Sequence, residues 1–194
     1  VALQRGHPFP FTVKNNKEDS VELDGKKMII LVEEMFNDHE FWYPYYRLKE
    51  AGAEVTVVGS GSAGRYTGKS GTETPVDIGA DAVNASDFSG IVIPGGYAPD
   101  IMRRYPKMVG LVKDLFEAGR VVAAICHAGW MLASAEILAG RTVTSFFAIR
   151  DDLVHAGAHW VDREVVVDGN LITSRKPDDL PVFMKAVIKA VAAS

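Results

Sequence analysis

The chain alternates short, wholly apolar runs with longer stretches in which apolar residues recur every three or four positions. Met28-Ile29-Ile30-Leu31-Val32, bounded by charges, has the pattern of a strand buried on both faces. Val55 to Val58, Ile91 to Ile93 and Val121 to Ile125 repeat that pattern. Between them, Glu40 to Ala51 reads as a helix, with Phe41, Tyr45 and Leu48 on one face and Gly52 as its stop. Pro44 fits there only if it stands near the helix start. Pro106 to Ala118 reads as a helix with proline at its start and Gly119 at its end. His127 to Ala135 reads as the helix that follows the fourth strand.

Gly59 to Gly71 is turn-rich, and a short extended piece is expected over Thr72 to Val76. The last third leaves the simple alternation. Asp151 to Ala156 reads as a short helix, and Leu180 to Ala193 as a closing amphipathic one. Between these, Glu164 to Asp168 and Leu171 to Ser174 flank the turn signal Asp168-Gly169-Asn170, which predicts a hairpin. The pattern therefore predicts an α/β fold: a mostly parallel sheet covered on both faces, with the hairpin as an added edge or flap. Residues 1–25 differ in character, holding Pro8, Pro10 and a charged run from Lys17 to Asp24. They are read as an N-terminal extension, and residues 26–194 as one α/β domain.

Composition narrows the function classes. A hydrophobic share of 47% and a charged share of 24% are those of a globular protein. The net charge of −4 gives no basic footprint for nucleic acid or for an anionic membrane surface. No stretch reaches the roughly 20 apolar residues of a membrane span, and no secretory signal is visible. The single cysteine cannot form an internal disulfide, so a reducing, cytoplasmic location is expected. His39, His155 and His159 share no compact ligand spacing with Cys126, so neither metal nor cofactor is expected.

In open α/β sheets ligands gather at the carboxyl ends of the strands. Three segments project there: Glu33 to Glu40, Pro94-Gly95-Gly96, and Cys126-His127. Ala124-Ile125-Cys126-His127-Ala128 has small residues two places on either side of a potential nucleophile, as a sharp strand-to-helix turn requires. A cysteine at a helix start is favoured as a thiolate. His127 follows directly; adjacency alone does not make its side chain a base, but its N–H is a candidate oxyanion donor. Gly95 and Gly96 permit close backbone approach and offer a second N–H. Glu40 stands at the start of the first helix, near the same end of the sheet. It reads either as a surface helix-dipole carboxylate or as a neighbour of the thiol, which would have to be protonated or it would oppose ionisation of the sulfur. Glu33 and Glu34 compete for that role. Asp100 fits either a histidine-orienting carboxylate or a helix cap.

These residues resemble the DJ-1/PfpI superfamily, and within it the branch of intracellular protease-like proteins with a class I glutamine amidotransferase-like fold. The carriers are the E-x-x-Y-P-Y-x-R-L-K-E-x-G segment from Glu40 to Gly52, Pro94 to Asp100, Ala124 to His127, Asp151-Asp152, Trp160 to Asp162, Val165 to Asn170 and Ser174-Arg175. The resemblance implies a flavodoxin-like sandwich and a Cys126 nucleophile with unfavourable backbone angles. It implies that Glu40 hydrogen-bonds the sulfur, and that His127 is assisted by an acid from a neighbouring subunit, matched here by Asp100. It also implies a homodimer or homohexamer with a shared active site. Two positions depart from the family pattern: Ala128-Gly129 followed by Trp130 replaces Gly-Pro, and Phe146 stands where a tyrosine is frequent. Tyr97, Trp130 and Phe146 are the candidate pocket residues. The first functional expectation is a cysteine hydrolase acting on a small-molecule or peptide substrate. The alternatives are a glyoxalase or deglycase using the same residues, and a redox-sensing or stress-protective protein without turnover. An amidotransferase reading fails for want of an H-x-E-like pair near the C-terminus.

Overall fold

The computed structural model describes residues 22–194, so most of the N-terminal extension lies outside the described residues. Each apolar run becomes a strand, and the side chains of the β1, β6 and β7 runs are all buried, while Val55 and Thr56 of the Val55–Val58 run stay partly exposed. Strand β1 (Lys27–Leu31) is followed by helix α1 (Asp38–Glu50), β2 (Glu54–Gly59), the small antiparallel pair β3 (Arg65–Thr67) and β4 (Glu73–Pro75), and β5 (Ile78–Gly79). Then come β6 (Gly90–Ile93), α2 (Ala98–Met102), α3 (Pro106–Glu117) and β7 (Val121–Ile125). Helix α4 (Gly129–Ser134), β8 (Thr142–Val143), α5 (Arg150–His155), β9 (His159–Trp160), β10 (Val165–Asp168), β11 (Leu171–Ser174) and α6 (Leu180–Ala192) complete the chain.

The main sheet has seven strands in the order β10-β11-β7-β6-β1-β2-β5, and only the β10–β11 pairing is antiparallel. Its two innermost strands, β1 and β6, are buried along almost their whole length: Ile29, Ile30, Leu31, Ile91, Val92 and Ile93 have no exposed surface. Helices cover both faces, with Phe41 and Leu48 of α1, Leu115 of α3 and Phe183 and Val187 of α6 all fully buried. This is the three-layer α/β arrangement that the hydrophobic pattern implies.

Three expectations change. The first helix begins at Asp38, with Asn37 as its cap, so Pro44 lies well inside it. Proline has no N–H to give the carbonyl four residues back, so the helix forgoes the bond to Glu40. The predicted hairpin is more than an edge addition: β11 runs parallel to β7 within the sheet, and only β10 forms the edge. Gly169 supplies the left-handed backbone its turn requires, at φ +61°. The consequence is topological, because the segment after β11 now leaves the sheet at the same end as β1, β6 and β7. Finally, the turn-rich segment after β2 holds a strand of its own, β3, which pairs with the expected extended piece.

Candidate active site

Asn37 shapes one wall of the site. Its side chain accepts hydrogen bonds from the N–H groups of His39 (3.1 Å) and Glu40 (3.4 Å), starting α1 at the end of the β1 loop. Glu40 in that first turn is fully buried and points at the loop after β6. Its Oε2 accepts the Gly95 N–H at 2.8 Å, while Oε1 has no hydrogen-bond partner among the described residues. The Cys126 sulfur is the other neighbour of this carboxyl. Burial, only partly offset by the Gly95 N–H, pushes Glu40 up from 4.5 to about 7. A protonated Glu40 would place its O–H where the sulfur can accept it.

Cys126 closes β7 at a sharp turn, with φ +63°, in a backbone region that L-residues rarely occupy. A short 3₁₀ turn over Cys126–Ala128 precedes α4, so the expected helix starts later than its pattern suggests. Cys126 is 7% exposed, and His127 Nδ1 lies 3.2 Å from its sulfur. The backbone N–H groups of His127 and Gly96 act on the sulfur in the direction that favours its thiolate. Burial first, then the Glu40 charge, push the thiol up to about 12 against those two donors. A freely ionised thiolate, expected from the turn alone, is therefore not what the site provides. With the carboxyl at about 7 and the thiol at about 12, the pair's single charge between those values rests on Glu40. Burial and the Lys69 charge lower the His127 value, which favours the neutral imidazole as acceptor of the thiol proton.

Gly95 and Gly96 serve different ends. A Cβ on Gly96, at φ +82°, would stand 2.5 Å from the Met35 carbonyl oxygen, so only glycine brings this N–H to the sulfur. Gly95 is not an oxyanion donor, contrary to expectation: its N–H is occupied by Glu40. Of the competing carboxylates, Glu33 accepts from the Glu34 N–H and Glu34 from the Thr67 N–H, and neither reaches the thiol.

Aromatic residues hold the imidazole. Phe146 stacks on His127 with ring centroids 4.9 Å apart, and Trp130 meets it edge-on at 5.2 Å. Trp130 is itself fixed by donating its Nε1–H to Asp152 at 2.7 Å. Asp100 does not reach His127 within the chain; it pairs with Arg104 one turn along. Together Cys126, His127, Gly96, Tyr97, Trp130 and Phe146 line an open cleft of about 490 Å³. A groove of similar volume beside α6, lined by Glu22, Arg47 and Lys185, contains no nucleophile.

The sequence pattern did not single out Asn37, Lys69, Lys176 or Pro177, which also line the cleft. Lys69 sits on the loop between β3 and β4, and only the folding of that loop over α1 brings it near. The loop is tied by buried Asp38, which accepts the Ser70 N–H (2.7 Å), the Thr72 N–H (3.2 Å) and the Thr72 hydroxyl. Burial acts to raise the Asp38 value, but these donors together hold it below its ordinary range. The stability this carboxylate contributes is thus present above pH ~4 and lost as pH falls through its lowered value. Asp38→Asn is expected to cost about 2 kcal/mol at pH 7, measured by urea unfolding, with the difference from wild type shrinking towards pH 3.

The DJ-1/PfpI family profile matches residues 26–190, which spans the whole sheet and every residue of this cleft. The chain belongs to that family. Deglycase PfpI of Pyrococcus furiosus is 45% identical over 163 residues, covering 84% of this chain and 98% of the relative. YraA of Bacillus subtilis, whose name proposes a cysteine protease, is 39% identical over 158 residues, covering 81% of this chain and 94% of the relative. Among solved structures, DJ-1beta of Drosophila melanogaster superposes with a TM-score of 0.80 at 29% identity, covering 87% of this chain and 91% of that one. As a DJ-1/PfpI protein the chain has the α/β fold its strand pattern predicted. Among the described residues, no three His, Cys, Asp or Glu side chains are grouped to hold a metal ion. No described helix is long and apolar enough to cross a membrane.

Proposed function

We propose that this DJ-1/PfpI chain is a cysteine enzyme that adds Cys126 to the carbonyl carbon of a small aldehyde or of an aldehyde-derived adduct. This is a deglycase- or glyoxalase-type reaction rather than amide hydrolysis. The observation that carries the reading is the environment of the sulfur. One face meets a buried carboxyl with an unpaired oxygen, and the other meets the N–H groups of Gly96 and His127. In the addition step the thiol proton passes to His127 Nδ1, sulfur bonds to the carbonyl carbon, and the C=O π bond opens. The two N–H groups that held the sulfur are placed to hold the new oxyanion. Return of the proton to that oxygen gives a hemithioacetal with no leaving group and no change of oxidation state. With a 2-oxoaldehyde, proton transfer between the two carbons then gives a thioester, which water hydrolyses to a 2-hydroxy acid.

Amide hydrolysis asks more of His127, which would have to protonate an amine leaving group. Among the described residues of one chain no carboxylate orients its imidazole, and Asp100 is paired with Arg104. In the homodimer or homohexamer that the family resemblance implies, that role falls to Asp100 of a neighbouring copy. The name of the Pyrococcus relative agrees with the carbonyl reading, and that of YraA with the hydrolytic one.

The test is a paired assay of the full chain with methylglyoxal, following the 2-hydroxy acid formed, and with a panel of peptide amides. Aldehyde turnover is expected, falling roughly a thousandfold in Cys126→Ala. Cysteine-dependent amide cleavage without aldehyde turnover would replace this reading by the hydrolytic one. Inactivity on both would leave only a redox or binding role.

A further inference from the structure

We infer that Lys69, assisted by Lys176, forms an anion-binding subsite beside Cys126, so that the preferred carbonyl substrates carry a carboxylate or phosphate group. The inference rests on Cys126 as the attacking group and goes beyond the reaction to the class of substrate. Both lysines line the same cleft as the thiol. They come from opposite sides of the molecule: Lys69 from the loop after β3, and Lys176 from the segment that β11 delivers to this end of the sheet.

Lys69 is the stronger element of the pair. Among the described residues its ammonium pairs with no surface carboxylate; it lies 5.9 Å from the ring centre of Tyr97. The charge nonetheless acts on the reacting groups: after burial it lowers His127, and it opposes the rise that burial imposes on Glu40. Its backbone is anchored on each side of the residue. The Lys69 N–H donates to the Phe36 carbonyl at 2.9 Å, and the buried Asp38 carboxylate holds Ser70 and Thr72. Gly68 leaves no room for a side chain against Asp38, where a Cβ would lie 2.5 Å from Oδ1. A buried carboxylate, a glycine and a main-chain bond thus fix the stem of an exposed lysine at the mouth of a nucleophile's cleft. Solvation of the lysine alone requires none of this. Lys176 is partly neutralised by Asp178 at 2.9 Å, so its share is smaller. The rest of the lining, from Asn37 and Gly96 to Trp130, Phe146 and Pro177, holds no lysine or arginine, which leaves these two ammonium groups as the cleft's only such cations among the described residues.

Two alkylating agents that differ by one charge read the subsite without reference to turnover. Iodoacetate and iodoacetamide transfer nearly isosteric groups to the same sulfur with the same leaving group. The ratio of their rates therefore cancels changes in thiol ionisation. The iodoacetate-to-iodoacetamide ratio at Cys126 is expected to fall about tenfold in Lys69→Gln, as for one charge at contact range in a partly solvated cleft. Lys69→Arg should retain it within about twofold, and Lys176→Gln should lower it less than Lys69→Gln. In 1 M salt the wild-type ratio should drop towards that of glutathione. A second arm measures protection of Cys126 from iodoacetamide by glyoxylate, glycolaldehyde phosphate and neutral glycolaldehyde. Protection by glyoxylate at about a tenth of the glycolaldehyde concentration identifies a carboxylate site; the same advantage for the phosphate identifies a phosphate site. An unchanged ratio in a folded Lys69→Gln protein overturns the inference, as does a result in which neither anionic aldehyde protects better than glycolaldehyde. If the ratio responds but methylglyoxal is not turned over, the subsite stands and the proposed reaction falls.

Discussion

Glu40→Gln is expected to yield a protein that is more stable than wild type above neutral pH and much less active. The carboxyl is fully buried, and its value rises from 4.5 in the unfolded chain to about 7 in the folded one. A raised value means that folded protein keeps the proton after unfolded chain has lost it. Wild-type stability is therefore complete below pH 4.5, declines as pH rises towards 7, and stays reduced above that. The full loss amounts to roughly 3 kcal/mol. Glutamine carries no charge to desolvate and can still accept the Gly95 N–H. The variant should consequently match wild type near pH 4 and exceed it by up to about 3 kcal/mol at pH 8. For a chain of this size that is a Tm difference of roughly 6–12 °C. Activity should fall by about a hundredfold, because an amide cannot exchange a proton with the sulfur or the adduct. Removing the carboxylate charge should also lower the thiol's titration below about 12, shifting the pH profile of iodoacetamide labelling to lower pH. Calorimetry at pH 4 and 8 with the labelling profile checks both halves. A variant no more stable at pH 8 than at pH 4, relative to wild type, would mean that Glu40 is not held protonated by burial.

Gly95→Ala should do the opposite to stability and at least as much damage to activity. An added Cβ would lie 2.7 Å from Glu40 Oε2, 2.8 Å from Cys126 Cβ and 3.0 Å from the His127 nitrogen. Two of these three neighbours belong to the strained turn of β7, so relief must come from moving the catalytic backbone rather than from a rotamer change. Overpacking of this kind costs about 2–3 kcal/mol. A displacement of even ~1 Å at a reacting centre lowers turnover about a hundredfold. The control is Gly110→Ala within α3, where an added Cβ meets nothing within 4 Å. There the better helix propensity of alanine should leave activity intact and add up to ~1 kcal/mol. Equal behaviour of the two variants in thermal melts and turnover would show that the close approach at Gly95 is not needed.

These two residues also mark how far the chain could be read before its structure was seen. The apolar runs at Met28–Val32, Ile91–Ile93 and Val121–Ile125 identified the central strands, since a strand buried on both faces leaves no position for a polar side chain. Ala124 and Ala128 around Cys126 announced the tight turn, which the structure realises with φ +63° at the cysteine. Gly95 was legible as a place of close approach but not as Glu40's donor, because which N–H meets which carboxyl depends on how α1 seats against β6. Strand β3 and the short pairing of β8 with β9 left no periodic trace, since two or three residues cannot establish a period.

The sequence by itself determined the α/β class, the order of the core strands' hydrophobic segments, and the identity of the thiol and its histidine neighbour. Each of these follows from local sterics and from burial along one element. The tertiary structure decided what that thiol experiences: a buried carboxyl that resists ionising, two N–H groups converging on the sulfur, and lysines carried in by distant loops. Burial and charge act through space, so groups far apart in the chain set the chemistry only once the sheet has brought its strand ends together.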